Sequence, residues 1–260
     1  MVKIILQYLC YRLFGKYRKG YGIHSPFVYH FVNQVLQRQD DTGLAEIKKW
    51  REFLARNNES LITSNAGAGS KVHKNPNRRV SGIIRRSSVS HKYGRVLYYL
   101  AREYKPKTIL ELGTGLGIST AYLSAGNPDA RTISVEADKN KASFAENALK
   151  SSGGKSPEIF IGSFDWFLLS KLKSIEHPLL VFIDGDHNFE GTMRYFNKIL
   201  ECKREDTIIV LDDIRWSREM KQAWNEIKSN PQTILTIDLF FMGIIFFREG
   251  LLKQNFKINF

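Results

Sequence analysis

A strand that breaks at a glycine-rich turn and then enters a helix constrains the fold of this chain more than any other feature. Residues Thr108–Leu112 form an apolar run typical of a buried strand, and Ile118–Ala125 has the pattern of the first turns of a helix. Glycines occupy every second position between them, at Gly113, Gly115 and Gly117. Such a turn directs backbone N–H groups and a helix N-terminus at a ligand. Its G-x-G-x-G spacing differs from the G-x-G-x-x-G of dinucleotide-binding proteins, so the turn alone predicts only a nucleotide-like ligand.

Short apolar strands alternate with helices through the rest of the chain. After a helix over about Lys92–Tyr104, strands are predicted at Thr108–Leu112, Arg131–Glu136, Glu158–Ile161, Leu179–Asp184 and Thr207–Leu211. Helices are predicted to begin near Ser119, Lys139, Trp166, Phe189 and Ser217. Two closely spaced runs, Gln232–Leu239 and Met242–Arg248, predict a terminal antiparallel hairpin. This alternation indicates an α/β fold with a mostly parallel, Rossmann-like sheet and helices on both faces.

The N-terminal third departs from this pattern and is predicted to be a helical extension. Apolar residues recur at helical spacing over residues 1–55, and Ser25, which precedes a proline, has the pattern of a helix N-cap. Residues 57–81 are polar and turn-rich, which predicts a long loop that could be a mobile lid or a flexible linker. We therefore expect an extension with a lid-like loop over residues 1–86 and the main domain over residues 87–260.

Basic residues are concentrated in the same third of the chain. The net charge of the 260 residues is +13, and residues 1–86 hold 16 Lys and Arg against 5 Asp and Glu. An anionic substrate, a nucleic acid, a membrane surface or only a solvated surface would each explain this surplus. The apolar residues at helical spacing in the first helix predict that it packs against the domain, and a surface membrane anchor is the alternative. No run approaches the about 20 apolar residues of a membrane span, and two isolated cysteines are typical of a cytoplasmic protein.

Residues that follow the predicted strands carry the candidate chemistry, because open α/β sheets bind ligands at the carboxyl ends of their strands. Glu111 precedes the first glycine by two residues, and Ser119 lies near the helix start. Glu136 ends the second strand, where an acid can accept hydrogen bonds from two ribose hydroxyls. The ribose of a nicotinamide dinucleotide and that of S-adenosylmethionine would both suit this position.

The turns after the fourth and fifth strands are crowded with ionisable side chains: Asp184, Asp186, His187, Glu190, Asp212 and Asp213. A helix N-cap needs only one of the four that follow the fourth strand. Adjacent carboxylates at the end of a buried strand repel each other unless a cation or a proton compensates. A hard divalent cation such as Mg²⁺ would suit three carboxylates and some waters, with Asp184 and Asp212 facing each other on neighbouring strands.

The glycine turn with an acid two residues before it resembles the first motif of the class I S-adenosylmethionine-dependent methyltransferases. The resemblance implies S-adenosylmethionine as the cofactor and a seven-stranded sheet in the order 3-2-1-4-5-7-6. By position it assigns cofactor binding to Glu111, Gly113, Thr114, Gly115, Gly117, Ser119, Glu136, Ser163, Phe164 and Asp184. Glu111 would accept from the ammonium group, and Ser119 would hold the carboxylate. Ser163 and Phe164 lie in the turn that runs along the adenine in this fold.

The acidic turns resemble, more narrowly, those of the cation-dependent catechol and caffeoyl-CoA O-methyltransferases. In that group an acid ends the fourth strand, a lysine three residues later is the general base, and an Asp-Asn pair ends the fifth strand. The resemblance implies metal ligands at Asp184, Asp212 and Asp213, and catalytic roles for Asp184 and His187. This chain departs from the pattern at two positions, because His187 replaces the lysine and Asp213 replaces the asparagine. Imidazole suits a general base, since it titrates near neutrality.

The predicted reaction is transfer of a methyl group to a hydroxyl of a small-molecule acceptor. Methylases of base amino groups often carry Asn/Asp-Pro-Pro-Tyr after the fourth strand, whereas this chain has Asp184-Gly-Asp-His187 there. That difference favours a hydroxyl acceptor. An RNA methyltransferase that uses the basic N-terminal third, and a non-catalytic S-adenosylmethionine-binding protein, remain as alternatives. The sequence is also compatible with a homodimer.

Overall fold

The computed structural model describes residues 2–14, 17, 20–39, 41–64, 76–150 and 156–260. Its helices are α1 (Val2–Phe14), α2 (Pro26–Phe31), α3 (Thr42–Leu54), α4 (Val80–Ser87), α5 (His91–Tyr104), α6 (Ile118–Gly126), α7 (Lys139–Lys150), α8 (Phe164–Lys171), α9 (Phe189–Leu200) and α10 (Arg218–Ser229). A π-helical turn, Val32–Leu36, continues α2. Its strands are β1 (Ser60–Ile62), β2 (Asn77–Arg79), β3 (Thr108–Leu112), β4 (Arg131–Glu136), β5 (Glu158–Ile161), β6 (Leu179–Ile183), β7 (Ile208–Leu211), β8 (Leu235–Asp238), β9 (Gly243–Phe246) and β10 (Gln254–Lys257).

Eight strands form the main sheet, in the order β10-β8-β9-β7-β6-β3-β4-β5. β9 is antiparallel to both of its neighbours, and the remaining pairs are parallel. The strands from β3 to β9 have the predicted order 3-2-1-4-5-7-6, and the predicted hairpin is the β8–β9 pair. The prediction of seven strands is wrong by one, because β10 extends the edge beside β8. Only Phe256 of β10 is buried, so this strand lacks the apolar run that marks the others.

Two hydrophobic clusters cover the two faces of the sheet. Side chains alternate between the faces of a strand, so Ile109 of β3 joins one cluster while Leu110 and Leu112 join the other. The first cluster includes residues of α5, α6 and the N-terminal helices α2–α4, and the second includes residues of α8, α9 and α10. Full burial of a leucine or isoleucine side chain contributes about 1.5–3 kcal/mol. The strands therefore present their carboxyl ends at one edge, between two firmly packed helical layers.

The N-terminal extension is helical, as predicted, but its polar segment is not entirely a loop. Ser25 caps α2 by accepting the backbone N–H of Val28 at 3.4 Å, and Pro26 is the first helical residue. The predicted loop over residues 57–81 is wrong in part, because β1 and β2 pair there as an antiparallel ladder. Strands of three largely exposed residues are too short to show an apolar alternation. Residues 65–75, the centre of the predicted lid, lie outside the described residues.

Helix α1 packs against the C-terminal part of the chain, as the predicted packing helix. Tyr11 is buried, and its hydroxyl donates to the backbone carbonyl of Ile258. The ring centroid of Tyr8 lies 5.0 Å from that of Phe240. The boundary at residue 86 stays a prediction. Among the helices of the described residues, none is both long enough and apolar enough to cross a bilayer.

Candidate active site

The glycine turn between β3 and α6 has a backbone conformation that favours glycine. Gly113, Gly115 and Gly117 have φ values of +117°, +54° and +83°, at which other L-residues are strained. A Cβ on Gly113 would lie 2.1 Å from the carbonyl oxygen of Asp184, so this glycine allows the turn to pass close to the end of β6. A Cβ on Gly115 would meet no described atom within 4 Å. The turn therefore opens onto solvent-accessible space at Gly115.

Glu111 is fully buried in β3 and has one carboxylate oxygen to spare. Its Oε2 accepts hydrogen bonds from the hydroxyls of Thr120 at 2.5 Å and Ser134 at 2.6 Å. Its Oε1 is buried and has no hydrogen-bond partner among the described residues. Burial raises the pKa of Glu111, and the neighbouring hydroxyls, including that of Ser119, oppose this rise. Because an unpaired buried oxygen costs free energy, Oε1 fits an ammonium group of a ligand.

Glu136 ends β4 beside the glycine turn. Its carboxylate accepts the backbone N–H of Gly115 at 2.8 Å and that of Asp138 at 2.9 Å. Asp138, in turn, accepts backbone N–H groups in the first turn of α7, from Asn140 and Lys141. Glu136 therefore has no capping role in α7. Its position at the open side of the turn fits hydrogen bonding to ribose hydroxyls.

Thr114, Ser163 and Phe164, all predicted to bind the cofactor, also support the local backbone. Thr114 Oγ1 lies 2.5 Å from Ser134 Oγ, which ties the glycine turn to β4. Ser163 caps α8, since its hydroxyl oxygen accepts a backbone N–H of that helix at 3.2 Å. Phe164 fills the space beside Gly185, where a Cβ would lie 2.4 Å from its ring. The structure thus brings Phe164 next to the end of β6.

His187 and Asp184 meet at the end of β6. His187 Nε2 lies 3.6 Å from Asp184 Oδ1, which is an ion-pair distance but too long for a hydrogen bond. His187 Nδ1 is buried and has no hydrogen-bond partner in the part of the chain that the structure describes. The turn is strained, since Asp186 and His187 have φ values of +60° and +37°. Strain of this kind persists only where surrounding contacts hold it.

Helix α9 provides two contacts that hold this turn, and sequence reasoning missed both. None of the four ionisable residues caps α9, because Asn188 is the cap and accepts the N–H of Gly191 at 2.8 Å. The hydroxyl of Tyr195 donates to the carboxylate of Asp186. The capping preference of asparagine could have identified the first contact. The ionisable side chains are thereby free of the capping role.

Asp212 and Asp213 follow β7, next to the end of β6. Burial, together with the charges of neighbouring carboxylates, raises the pKa of Asp184 and Asp212 well above its usual range, and burial raises that of Asp213. Asp212 Oδ1 accepts the backbone N–H of Asp213 at 2.9 Å, and Asp213 has a φ of +52°. Protons or a cation would relieve the repulsion among these groups.

The predicted metal ligands fit a cation in their chemistry but not in their arrangement. Carboxylate oxygens are the donors that Mg²⁺ prefers. Within the described ranges, however, no group of three or more His, Cys, Asp and Glu side chains is arranged to hold a metal ion. The assignment of Asp184, Asp212 and Asp213 as metal ligands therefore stays a prediction.

A buried ion pair anchors the segment after Asp213, and no local sequence pattern signals it. The guanidinium of Arg215 donates to the carboxylate of Asp238 at 2.7 and 2.5 Å, and to the carbonyl of Phe240 at 2.7 Å. Trp224 Nε1 donates to the same carboxylate at 3.2 Å. These contacts hold the loop between β8 and β9 beside the acidic turns.

Comparison with known proteins gives three consistent matches. Residues 110–214 match a family model described as a methyltransferase domain. The chain is 32% identical over 130 residues to a catechol O-methyltransferase of Niastella koreensis, which covers 49% of this chain and 58% of that protein. It is 30% identical over 133 residues to a catechol O-methyltransferase of Mycobacterium tuberculosis, which covers 50% of this chain and 58% of that protein. The matched segments span little more than half the length of these relatives.

The fold comparison extends beyond the matched segment. The structure of an O-methyltransferase from Bacillus cereus in complex with SAH aligns with a TM-score of 0.54, at 19% identity, over 85% of this chain and 97% of that chain. At this identity the likeness shows the fold. Together with the glycine turn and the acidic turns beside it, these matches show that residues 110–214 are similar to a methyltransferase domain, and that about half of the chain is similar to part of the catechol O-methyltransferases.

Proposed function

We propose that this protein transfers a methyl group from S-adenosylmethionine to a hydroxyl of a small-molecule acceptor. The observation that carries the proposal is a set of features at the carboxyl ends of two neighbouring strands. Open space at Gly115 and a buried, unpaired oxygen of Glu111 belong to β3 and the turn after it, and the Asp184–His187 pair follows β6. The relatives named catechol O-methyltransferase and the SAH-bound structural neighbour support the same reading.

The donor side of the site (the glycine turn, Glu111 and Glu136) would bind and orient the cofactor. Glu111 Oε1 would accept from the ammonium group, Glu136 from the ribose hydroxyls, and Phe164 would cover one face of the adenine. When bound, S-adenosylmethionine supplies an activated methyl group on a sulfonium, whose departure leaves a neutral thioether. The protein must then mainly align the acceptor oxygen with that methyl group, because alignment removes much of the entropic barrier.

The acceptor side (Asp184, His187, Asp212 and Asp213) would deprotonate the acceptor. His187 Nε2 takes the hydroxyl proton as the oxygen–methyl bond forms and the sulfur–methyl bond breaks. Asp184 Oδ1, 3.6 Å away, stabilises the resulting imidazolium. A positioned general base of this kind typically accelerates a reaction by about 10²–10⁴-fold.

We assign no step to a divalent cation, because the carboxylates do not form a coordination site within the described residues. Turnover after exhaustive chelation tests this choice. Retained turnover is the result expected for His187 acting as the base. Lost turnover that Mg²⁺ restores would show that Asp184, Asp212 and Asp213 rearrange into metal ligands.

Titration calorimetry with SAH, the product form of the cofactor, tests the proposed function most directly. We expect saturable binding, and Glu136→Gln should weaken it by about tenfold or more through loss of a charged hydrogen-bond acceptor. Glu158→Gln is the matched control, since Glu158 begins the neighbouring strand and pairs with Arg131 on the surface. Absence of binding at about 1 mM SAH would overturn the proposal.

The comparisons do not favour the RNA methyltransferase or the non-catalytic alternative, because the relatives carry the name of small-molecule O-methyltransferases. Turnover with a panel of hydroxylated aromatic acceptors separates catalysis from cofactor binding alone. The homodimer and the cytoplasmic location stay predictions.

A further inference from the structure

The outer face of α1 carries a stripe of exposed leucines. Leu6, Leu9 and Leu13 are 56%, 49% and 75% exposed. Successive residues of a helix are about 100° apart, so the three leucines lie on one side of α1 and Tyr11 lies on the opposite side. Tyr11 is 1% exposed. Single exposed leucines are ordinary in proteins, but three at positions i, i+3 and i+7 form a continuous apolar surface.

Aromatic packing on the inner face of α1 fixes the direction of this leucine stripe. The ring centroid of Tyr8 lies 5.0 Å from that of Phe240 and 6.1 Å from that of Phe241. Tyr11 packs 5.2 Å from Phe240 and bonds to the C-terminal segment. Because these contacts occupy the inner face, α1 cannot turn its leucines inward without breaking an aromatic cluster.

The N-terminal segment that contains the leucine stripe is basic in sequence. Residues 1–39 contain six Lys and Arg and no Asp or Glu. Arg12 is exposed on α1, next to Leu13. An exposed apolar helix face in a basic segment is typical of helices that lie in the interface of a bilayer.

We propose that α1 docks on an anionic lipid bilayer through the leucine stripe. Leucines would enter the boundary between headgroups and acyl chains, and the basic residues of this N-terminal segment would attract anionic headgroups. A second copy of this chain fits less well, because a symmetric pairing of α1 would bring like charges such as Arg12 together. A nucleic acid fits less well because it would leave three leucines without apolar contact.

Docking would place the acceptor side close to the lipid. The backbone N–H of Ile214, which follows Asp213, donates to the carbonyl of Phe241 at 2.9 Å, and Phe241 is in the cluster with Tyr8. Only the thickness of α1, about 10 Å, then separates this cluster from the headgroups. The proposal for α1 is independent of the proposed methyl transfer.

Vesicle co-sedimentation of the full chain tests the docking proposal. The probe is a set of unilamellar vesicles of one third phosphatidylglycerol and two thirds phosphatidylcholine, with pure phosphatidylcholine vesicles for comparison. We expect binding to the anionic vesicles alone, and weakening as salt screens the charges. A triple variant should lower the partition coefficient about tenfold or more, since each substitution removes apolar area from the contact: Leu6→Gln, Leu9→Gln and Leu13→Gln.

A matched triple variant controls for general loss of exposed apolar surface: Phe53→Gln, Leu169→Gln and Leu252→Gln, at residues that are 71%, 69% and 77% exposed. It should bind vesicles like the wild type. Both triple variants should keep the wild-type melting temperature, which shows that any loss of binding comes from the surface. Equal binding by the leucine variant, or no sedimentation of the wild type, would overturn the proposal. A change from dimer to monomer in the leucine variant, or leucine-independent binding to single-stranded RNA, would also overturn it.

Discussion

The donor side and the acceptor side of the candidate site are built in opposite ways. On the donor side, every residue of the turn with a positive φ is a glycine, and two backbone N–H groups hold the Glu136 carboxylate. In the turns that carry the acceptor side, three residues with side chains adopt positive φ values: Asp186, His187 and Asp213. Repulsion among buried carboxylates adds to this strain.

The two sides therefore differ in how much unfavourable free energy their ligand-free conformations carry. The donor side is preorganised, and Glu111 Oε1 is a buried oxygen without a hydrogen-bond partner among the described residues, so a ligand can bind with little rearrangement. The acceptor side is held in a costly conformation by contacts such as Tyr195 with Asp186. Strain and unpaired charge of this kind cluster at sites where a bound ligand relieves them.

The largest expected effect comes from Gly113→Ala, which should disrupt the backbone of the glycine turn on the donor side. The new Cβ would lie 2.1 Å from the carbonyl oxygen of Asp184, at a φ of +117°. We expect the free energy of unfolding to fall by about 3 kcal/mol and SAH binding to disappear. Urea unfolding followed by tryptophan fluorescence measures the first effect. Gly82→Ala is the control, since a Cβ there meets nothing and should leave stability equal or about 0.5–1 kcal/mol higher.

The next effect is confined to the acceptor side. His187→Gln should lower kcat by about 10²–10⁴-fold, because glutamine keeps a polar side chain but cannot accept a proton. The SAH affinity should stay within twofold of the wild type, since His187 does not contribute to the donor side. His30→Gln is the control, as His30 pairs with Glu103 on the surface. Full turnover by His187→Gln would remove the imidazole from the mechanism.

The fold could be predicted from the sequence where a buried element consists of a run of apolar residues. The strands β3 and β6 are buried at all five positions, and both were predictable. β10 was not, because only Phe256 faces the core and its pairing with β8 depends on the rest of the sheet. β1 and β2 were missed for the same reason, since their stability comes from neighbouring elements rather than from their own pattern.

The site was predictable where parallel strands bring their carboxyl ends together, which places Glu111, Glu136 and Asp184 at one edge. Contacts between distant side chains were not predictable. The hydroxyl of Tyr195 in α9 contacts Asp186, which lies nine residues earlier in the chain, and Arg215 contacts Asp238, 23 residues later. Such pairs depend on helix orientation and loop path, which no local pattern encodes.

A smaller effect on stability, but a clear one on binding, is expected from Gly115→Ala. Its φ of +54° costs alanine about 1 kcal/mol, and its Cβ would point into open space. The methyl group would occupy the open space at Gly115, so SAH affinity should fall about tenfold or more while the protein stays folded. Gly113→Ala and Gly115→Ala together separate damage to the fold from damage to the ligand space. Unchanged SAH affinity in Gly115→Ala would place the cofactor elsewhere.

The smallest effect is the pH dependence of the acceptor side, measured by urea unfolding with a chelator present. Because burial raises the pKa of Asp213, the folded state holds its proton at pH values where the unfolded chain, with a pKa near 4, has lost it. The free energy of unfolding therefore falls as pH rises above about 4, through the folded-state pKa. Asp213→Asn removes this loss and tolerates the φ of +52°, so its free energy of unfolding should rise relative to that of the wild type as pH increases above about 4. Exposed Asp129→Asn should run parallel to the wild type, and parallel curves for Asp213→Asn would mean that the acidic turns carry no stored repulsion.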